Sequence, residues 1–81
     1  MTALIAPLTK LEARRITKAT LDHYEGNLSA EEIAYAKRLA QNVYDACDRV
    51  TETGLGVYEP IDRSVEIALD LFDDFMERAY S

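Results

Sequence analysis

The chain has 81 residues, of which 48% are hydrophobic, and its formal net charge is -6. That length makes one domain at most, and that hydrophobic content is too high for a generally disordered chain. The acidic balance argues against direct nucleic-acid binding, because such binding needs a basic surface that displaces the counterions of the phosphates.

Nothing in the sequence indicates export or a membrane anchor. Residues 1–8 have no charged leader or long apolar run, and we expect them to be a loose lead-in to one helical domain over residues 9–81. No segment is expected to span a bilayer. The single cysteine, Cys47, excludes an internal disulfide and is predicted to be a small buried residue. A reducing, cytoplasmic setting is therefore the expectation.

A first helix is predicted from residue 9 to about residue 24. Thr9 followed by Glu12 is the capping-box pattern of a helix start. Gly26 and Asn27 are expected to end this helix, because both residues tolerate positive φ. Its apolar stripe is weak and consists of Leu11, Ala13, Ile16, Ala19 and Leu21. Its basic side chains include Arg14, Arg15 and Lys18.

A second helix is predicted from residue 30 to about residue 53, because Ser29 and Glu32 form another capping box. One apolar side recurs at steps of three and four through Ile33, Ala36, Ala40, Val43, Cys47 and Val50. A second side adds Tyr35, Leu39 and Ala46. A helix that is apolar on two sides needs two neighbours, and such a surface usually marks an interface. We therefore expect self-association into a dimer or a larger assembly.

A third helix is predicted from residue 60 to the chain end, after a loop that begins at Gly54. Pro60 suits the first turn of a helix. The apolar stripe contains Ile61, Val65, Ala68, Phe72, Phe75, Met76 and Ala79. The predicted fold is all-α, with three helices, of which the second and third form a long antiparallel hairpin with the first beside it.

Acidic side chains recur on another face of the third helix. A solvated face is the plainest interpretation of this row. A metal site is not predicted, because Asp45 and Asp48 on the second helix should lie near the start of the third helix, away from Asp73. Carboxylates about 6 Å apart along a helix also roughly match the spacing of phosphates. This third interpretation suits an inhibitor that mimics nucleic acid. The residues of the row are Glu66, Asp70, Asp73, Asp74 and Glu77.

No motif for catalysis or for a cofactor is found. The sequence has no GxGxxG, no Walker loop, no CxxC and no GxSxG. The only histidine, His23, makes neither a zinc site nor a catalytic triad by itself. We therefore predict a protein that is not an enzyme and needs no cofactor. Tyr24 and Tyr58 can stack on bases if they are exposed, although Tyr more often packs at the edge of a core.

One pattern resembles a known family. His23-Tyr24, then Ser29 opening a long helix, then Asp62-Arg63-Ser64 opening another, is similar to the helical hairpin of phage cyclic-nucleotide sponges, the anti-CBASS and anti-Thoeris proteins. The likeness covers about residues 23–80. Its later part reads Ile67-Ala68-Leu69, Asp73-Asp74 and Met76. It implies a small, phage-derived counter-defence protein that sequesters a cyclic oligonucleotide signal between subunits in the host cytoplasm.

The resemblance also implies a binding site. Tyr24 would stack on a base, and Arg63 with Ser64 would meet a phosphate near a helix N-terminus, which favours anions. Lys37 stands for the basic residue expected early in the second helix. The alternative function is an acidic protein-binding inhibitor or nucleic-acid mimic of the anti-CRISPR kind. In that case the partner is a host or defence protein, and the binding residues are Glu66, Asp70, Asp73, Asp74 and Glu77.

Overall fold

A computed structural model describes residues 8–49 and 56–80. It contains α1 (Lys10–Tyr24), α2 (Ala30–Cys47) and α3 (Arg63–Tyr80), with short 3-10 turns at Glu25–Asn27 and Gly56–Tyr58. Within these residues there is no strand, and only an isolated β-bridge joins Thr9 to Pro60. The predicted all-α class with three helices is confirmed. None of the described helices is both long enough and apolar enough to cross a membrane.

Both predicted capping boxes are present. The Glu12 backbone N–H donates to the Thr9 hydroxyl at 3.2 Å, and the Glu12 carboxylate accepts from the Thr9 N–H at 3.0 Å. Ser29 and Glu32 repeat this exchange at 3.2 and 2.9 Å. Each pair satisfies two N–H groups that the first turn of a helix leaves without partners. Local sequence therefore determines where α1 and α2 begin.

The first helix ends at Tyr24 as predicted, but not through positive φ, and the second helix ends earlier than predicted. Gly26 has no positive φ, since Gly56 is the only described residue that has one. The chain instead tightens into a 3-10 turn after α1. α2 stops at Cys47, where the Asp48 N–H donates to the carbonyls of both Tyr44 and Asp45. The rest of the predicted second helix, residues 50–53, and the predicted stop at Gly54 lie outside the described residues.

The third helix begins three residues later than predicted, because residues 60 and 61 pair with the segment before α1. The Ile61 N–H donates to the Leu8 carbonyl at 2.8 Å. The Asp62 carboxylate then accepts from the Val65 N–H at 3.0 Å, which is the bond of an N-cap residue. Asp62 therefore caps α3, and Pro60 lies before the helix and not in its first turn.

The buried face of α1 differs from the predicted one. Two members of the predicted stripe, Ile16 and Ala19, are exposed, Ile16 to 42%. The buried side chains of α1 are Lys10, Ala13, Thr17 and Leu21. These positions also recur at steps of three and four, so the helical spacing holds while two of the core positions carry polar side chains.

α2 packs against both α1 and α3. Apart from Tyr35, which is 45% exposed, and the partly buried Ile33, the described residues on its two apolar sides are buried. α3 contributes Val65, Leu69, Phe72 and Met76 to the same core. The second neighbour of α2 is thus α1 of the same chain. The surface from which self-association was predicted is covered within one chain.

Contacts between the helices define two ends of the bundle. At one end, here the Ser64 end, the Arg49 guanidinium just after α2 donates to the Ser64 hydroxyl at the start of α3. At the other, here the Tyr24 end, the ring of Tyr35 near the start of α2 packs against Phe75 near the end of α3. Contacts in this order are those of an antiparallel pair.

Candidate functional site

Two of the residues predicted to bind a nucleotide lie at the Tyr24 end. Tyr24 is half-buried in the last turn of α1, with the His23 ring edge-on at 4.6 Å between centroids. The Lys37 ammonium contacts the Glu25 carboxylate at 3.3 Å. An aromatic ring and a basic side chain therefore lie near the same connection between α1 and α2.

The other two predicted residues lie at the Ser64 end. The Ser64 hydroxyl accepts a hydrogen bond of 3.0 Å from Arg49, a residue that the sequence did not single out. Arg63 is 80% exposed and contacts Glu66 at 3.4 Å. α1 has 15 residues and starts beside the segment that leads into α3, so Tyr24 is about 20 Å from this end. One chain does not bring the four side chains into one pocket.

The row of carboxylates forms the exposed outer face of α3 and is called the acidic face here. Two of its members have a cation: Asp74 meets Arg78 at 2.6 Å and Glu66 meets Arg63 at 3.4 Å. Among the described residues, no ion pair neutralises the other three. The full set is Glu66, Asp70, Asp73, Asp74 and Glu77, all exposed.

The carboxylates of the acidic face repel one another. Loss of water around the carboxyl of Asp73 raises its pKa above the usual value, and the negative charges of Asp70 and Glu77 raise it further. A cation that approaches such a carboxyl stabilises its charged form, which the surroundings otherwise disfavour. The face therefore offers a favourable site for basic groups of a partner.

An apolar groove between α2 and α3 borders the acidic face near the Tyr24 end. Leu71 is 55% exposed beside Tyr35, and the Tyr35 and Phe75 rings pack edge to face with centroids 4.7 Å apart. Ile67, one turn before Leu71, is also exposed. The groove is lined by Tyr35, Leu39, Leu71, Asp74, Phe75 and Arg78. Asp74 belongs to both surfaces, so the groove and the acidic face are continuous.

A second groove lies between α1 and α2 and is basic. The Arg14 guanidinium lies over the Tyr44 ring, 5.7 Å from its centroid, and also pairs with Asp48. Lys18 lies 3.7 Å from Asp22. The lining residues are Leu11, Arg14, Arg15, Lys18 and Tyr44. These acids neutralise part of the basic charge, so the groove is less strongly charged than its sequence suggested.

The structure contains a buried ion pair that the sequence did not predict. The Lys10 ammonium donates to the Glu59 carboxylate at 2.8 Å, and the two side chains are 1% and 6% exposed. The Cys47 thiol donates to the Lys10 carbonyl at 3.6 Å. Cys47 is 3% exposed, which confirms the predicted burial, and this burial raises the pKa of the thiol and disfavours its reactive thiolate form.

Within residues 8–49 and 56–80, no group of three or more His, Cys, Asp or Glu side chains is arranged to hold a metal ion. Comparison with known protein families, with curated protein sequences and with solved structures finds no match to the chain.

Proposed function

We propose that this protein is a small, non-enzymatic binding protein that engages a basic surface of a partner protein through the acidic face of α3. The observation that carries the proposal is the run of exposed carboxylates in which Asp70, Asp73 and Glu77 have no counter-charge among the described residues. Charge complementarity of this kind speeds association and excludes wrong partners.

The spacing of the carboxylates favours one class of partner. Successive turns of α3 place acidic groups about 6 Å apart, which is roughly the spacing of phosphates along a nucleic-acid strand. A protein that binds nucleic acid through a basic groove presents the complementary surface. The proposed action is inhibition of such a protein by mimicry in the cytoplasm. The counter-defence setting comes from the family resemblance alone and stays a prediction.

The first experiment measures binding of an oligolysine peptide by titration calorimetry at low and at physiological salt. The test variant is Asp70→Asn/Asp73→Asn/Glu77→Gln, and the matched control is Asp22→Asn/Glu31→Gln/Asp45→Asn, which removes as many charges elsewhere. We expect the Kd of the test variant to be at least tenfold higher than the Kd of the control, because the charges on α3 act together. Equal losses in both variants would overturn the proposal.

A second candidate is sequestration of a cyclic oligonucleotide. It is supported by the Arg49 guanidinium on the Ser64 hydroxyl and by the largely exposed Arg63 beside it. Two guanidinium groups at a helix N-terminus attract phosphate. Since Tyr24 and Lys37 lie at the other end, a pocket that contains all of the predicted residues needs two copies of the chain.

Thermal unfolding with a panel of cyclic di- and trinucleotides tests this candidate. A ligand that binds only the folded state raises the unfolding midpoint, and Arg63→Ala should abolish the rise. Tyr24→Ala should reduce the rise in the unfolding midpoint as well. Arg38→Ala, at another exposed basic residue, is the control and should leave the rise unchanged. No rise with any nucleotide of the panel removes this candidate and leaves the first proposal unaffected.

A further inference from the structure

The apolar groove beside the acidic face has walls, a floor and one charged rim. The Tyr35 and Phe75 rings stand edge to face at 4.7 Å and form one wall, and the exposed Leu71 forms another. Leu39, which is buried, supplies the floor. The Asp74 and Arg78 pair, at 2.6 Å, closes the remaining side with little net charge. Such a groove accepts an apolar side chain rather than a charged one.

The surroundings of the groove specify the charge of what enters it. The negative charge beside the groove comes from Asp70, which directly precedes Leu71, because the lining residue Asp74 is paired with Arg78. Glu77 adds a second negative charge about two turns after Asp70. An acidic segment would be repelled here, whereas lysine or arginine next to an apolar residue would satisfy both surfaces at once.

We infer that the groove of Tyr35, Leu39, Leu71 and Phe75 takes one apolar side chain from a basic amphipathic helix of the partner, whose cations flank that side chain and pair with the acidic face. The inference rests on the proposed function and specifies the partner segment. Asp70 and Glu77 are seven residues apart, about 10 Å along α3. Cations one turn before and one turn after an apolar residue of a second helix have a similar separation.

The test uses two synthetic helical peptides of lysine and alanine, one with a single central leucine and one with alanine in its place. The protein variants are Leu71→Ser and Tyr35→Ser, both at side chains that are partly exposed. The control is Ile16→Ser, which removes a comparably exposed apolar residue outside the groove. Circular dichroism verifies that each variant is folded, and calorimetry gives each Kd.

Unchanged protein should bind the leucine peptide about tenfold more tightly than the alanine peptide, as burial of most of a leucine side chain predicts. Leu71→Ser and Tyr35→Ser should reduce that ratio to near one, and Ile16→Ser should leave it unchanged. Equal binding of both peptides by unchanged protein, or equal ratios in Leu71→Ser and Ile16→Ser, overturns the inference.

Two further readouts separate the inference from the proposed function. If Asp70→Asn/Asp73→Asn/Glu77→Gln still weakens both peptides while the leucine adds nothing, the proposed function survives and the groove inference fails. If those substitutions weaken neither peptide, the proposed function fails. A fall in solution mass caused by Leu71→Ser would show a second copy of the chain in the groove and would also overturn the inference.

Discussion

Thr17 occupies a fully buried position of α1, and its hydroxyl has no hydrogen-bond partner among the described residues. A buried hydroxyl without a partner loses its hydration and gains nothing in return. Thr17→Val keeps the shape and removes that cost, so we expect the free energy of unfolding in urea to rise by about 1 kcal/mol. Thr20→Val, one turn away at a half-buried position, is the control and should change little. A clear loss of stability in Thr17→Val would contradict this account.

For the Lys10 and Glu59 pair we expect the opposite result, a loss of stability when one partner is replaced, because both of its groups are charged. Lys10→Met leaves the buried Glu59 carboxylate without this ammonium and should cost about 3 kcal/mol in urea unfolding. The double variant Lys10→Met/Glu59→Leu replaces both charges by apolar groups and should recover most of that loss. If the double variant is as unstable as Lys10→Met alone, the pair acts through packing and not through charge.

At the scale of the element, Asp62 tests why α3 starts where it does. Asp62→Ala removes the oxygen that accepts from the Val65 N–H and should lower the free energy of unfolding by about 1 kcal/mol. Asp62→Asn keeps an acceptor at the same place, and its loss should be only a small part of that amount. Identical losses in the two variants would show that the cap bond does not stabilise the helix.

The starts of α1 and α2 could be predicted because a capping box depends on residues three apart. For α3 the predicted start at Pro60 was wrong, since Pro60 pairs with Thr9 across the fold and thereby leaves helical geometry, although the Asp62-Arg63-Ser64 pattern does open the helix. The same limit applies to Lys10 and Glu59, which are 49 positions apart and each resemble ordinary surface residues in the sequence. The acidic face was predicted from its spacing, whereas the groove beside it depends on how Tyr35 of α2 meets Phe75 of α3.

Asp73 gives the acidic face a signature in the pH dependence of stability. Its pKa is raised in the folded protein, so the folded state holds this proton more tightly than the unfolded state. The free energy of unfolding therefore falls as the pH rises through the range in which Asp73 loses its proton. This loss of stability is fully present at neutral pH. Asp73→Asn should raise the unfolding midpoint at neutral pH, and the gain should vanish below the usual aspartate pKa of 3.8. Asp74→Asn, which breaks an ion pair with Arg78, should give no such gain.

At the scale of the whole molecule, the charge of the chain is divided between helices. The basic residues Arg14, Arg15 and Lys18 lie on α1, and α3 carries the acidic face. α1 already covers one side of α2, so the apolar surface of α2 no longer supplies the reason for self-association. One remaining basis is attraction between the basic side chains of α1 in one copy and the acidic face of α3 in another, which is an electrostatic and therefore salt-dependent contact.

Self-association of this kind has a specific dependence on salt. The Debye length is about 30 Å at 0.01 M salt and about 8 Å at 0.15 M, so the attraction is strong only at low salt. Light scattering should give a mass above the 9.1 kDa of one chain at low salt and should approach that value as salt is added. Arg15→Gln/Lys18→Gln should remove the low-salt assembly, whereas Arg38→Gln on α2 should not. An assembly that persists unchanged at high salt would instead require an apolar contact, for which Ile67 and Leu71 are the exposed candidates.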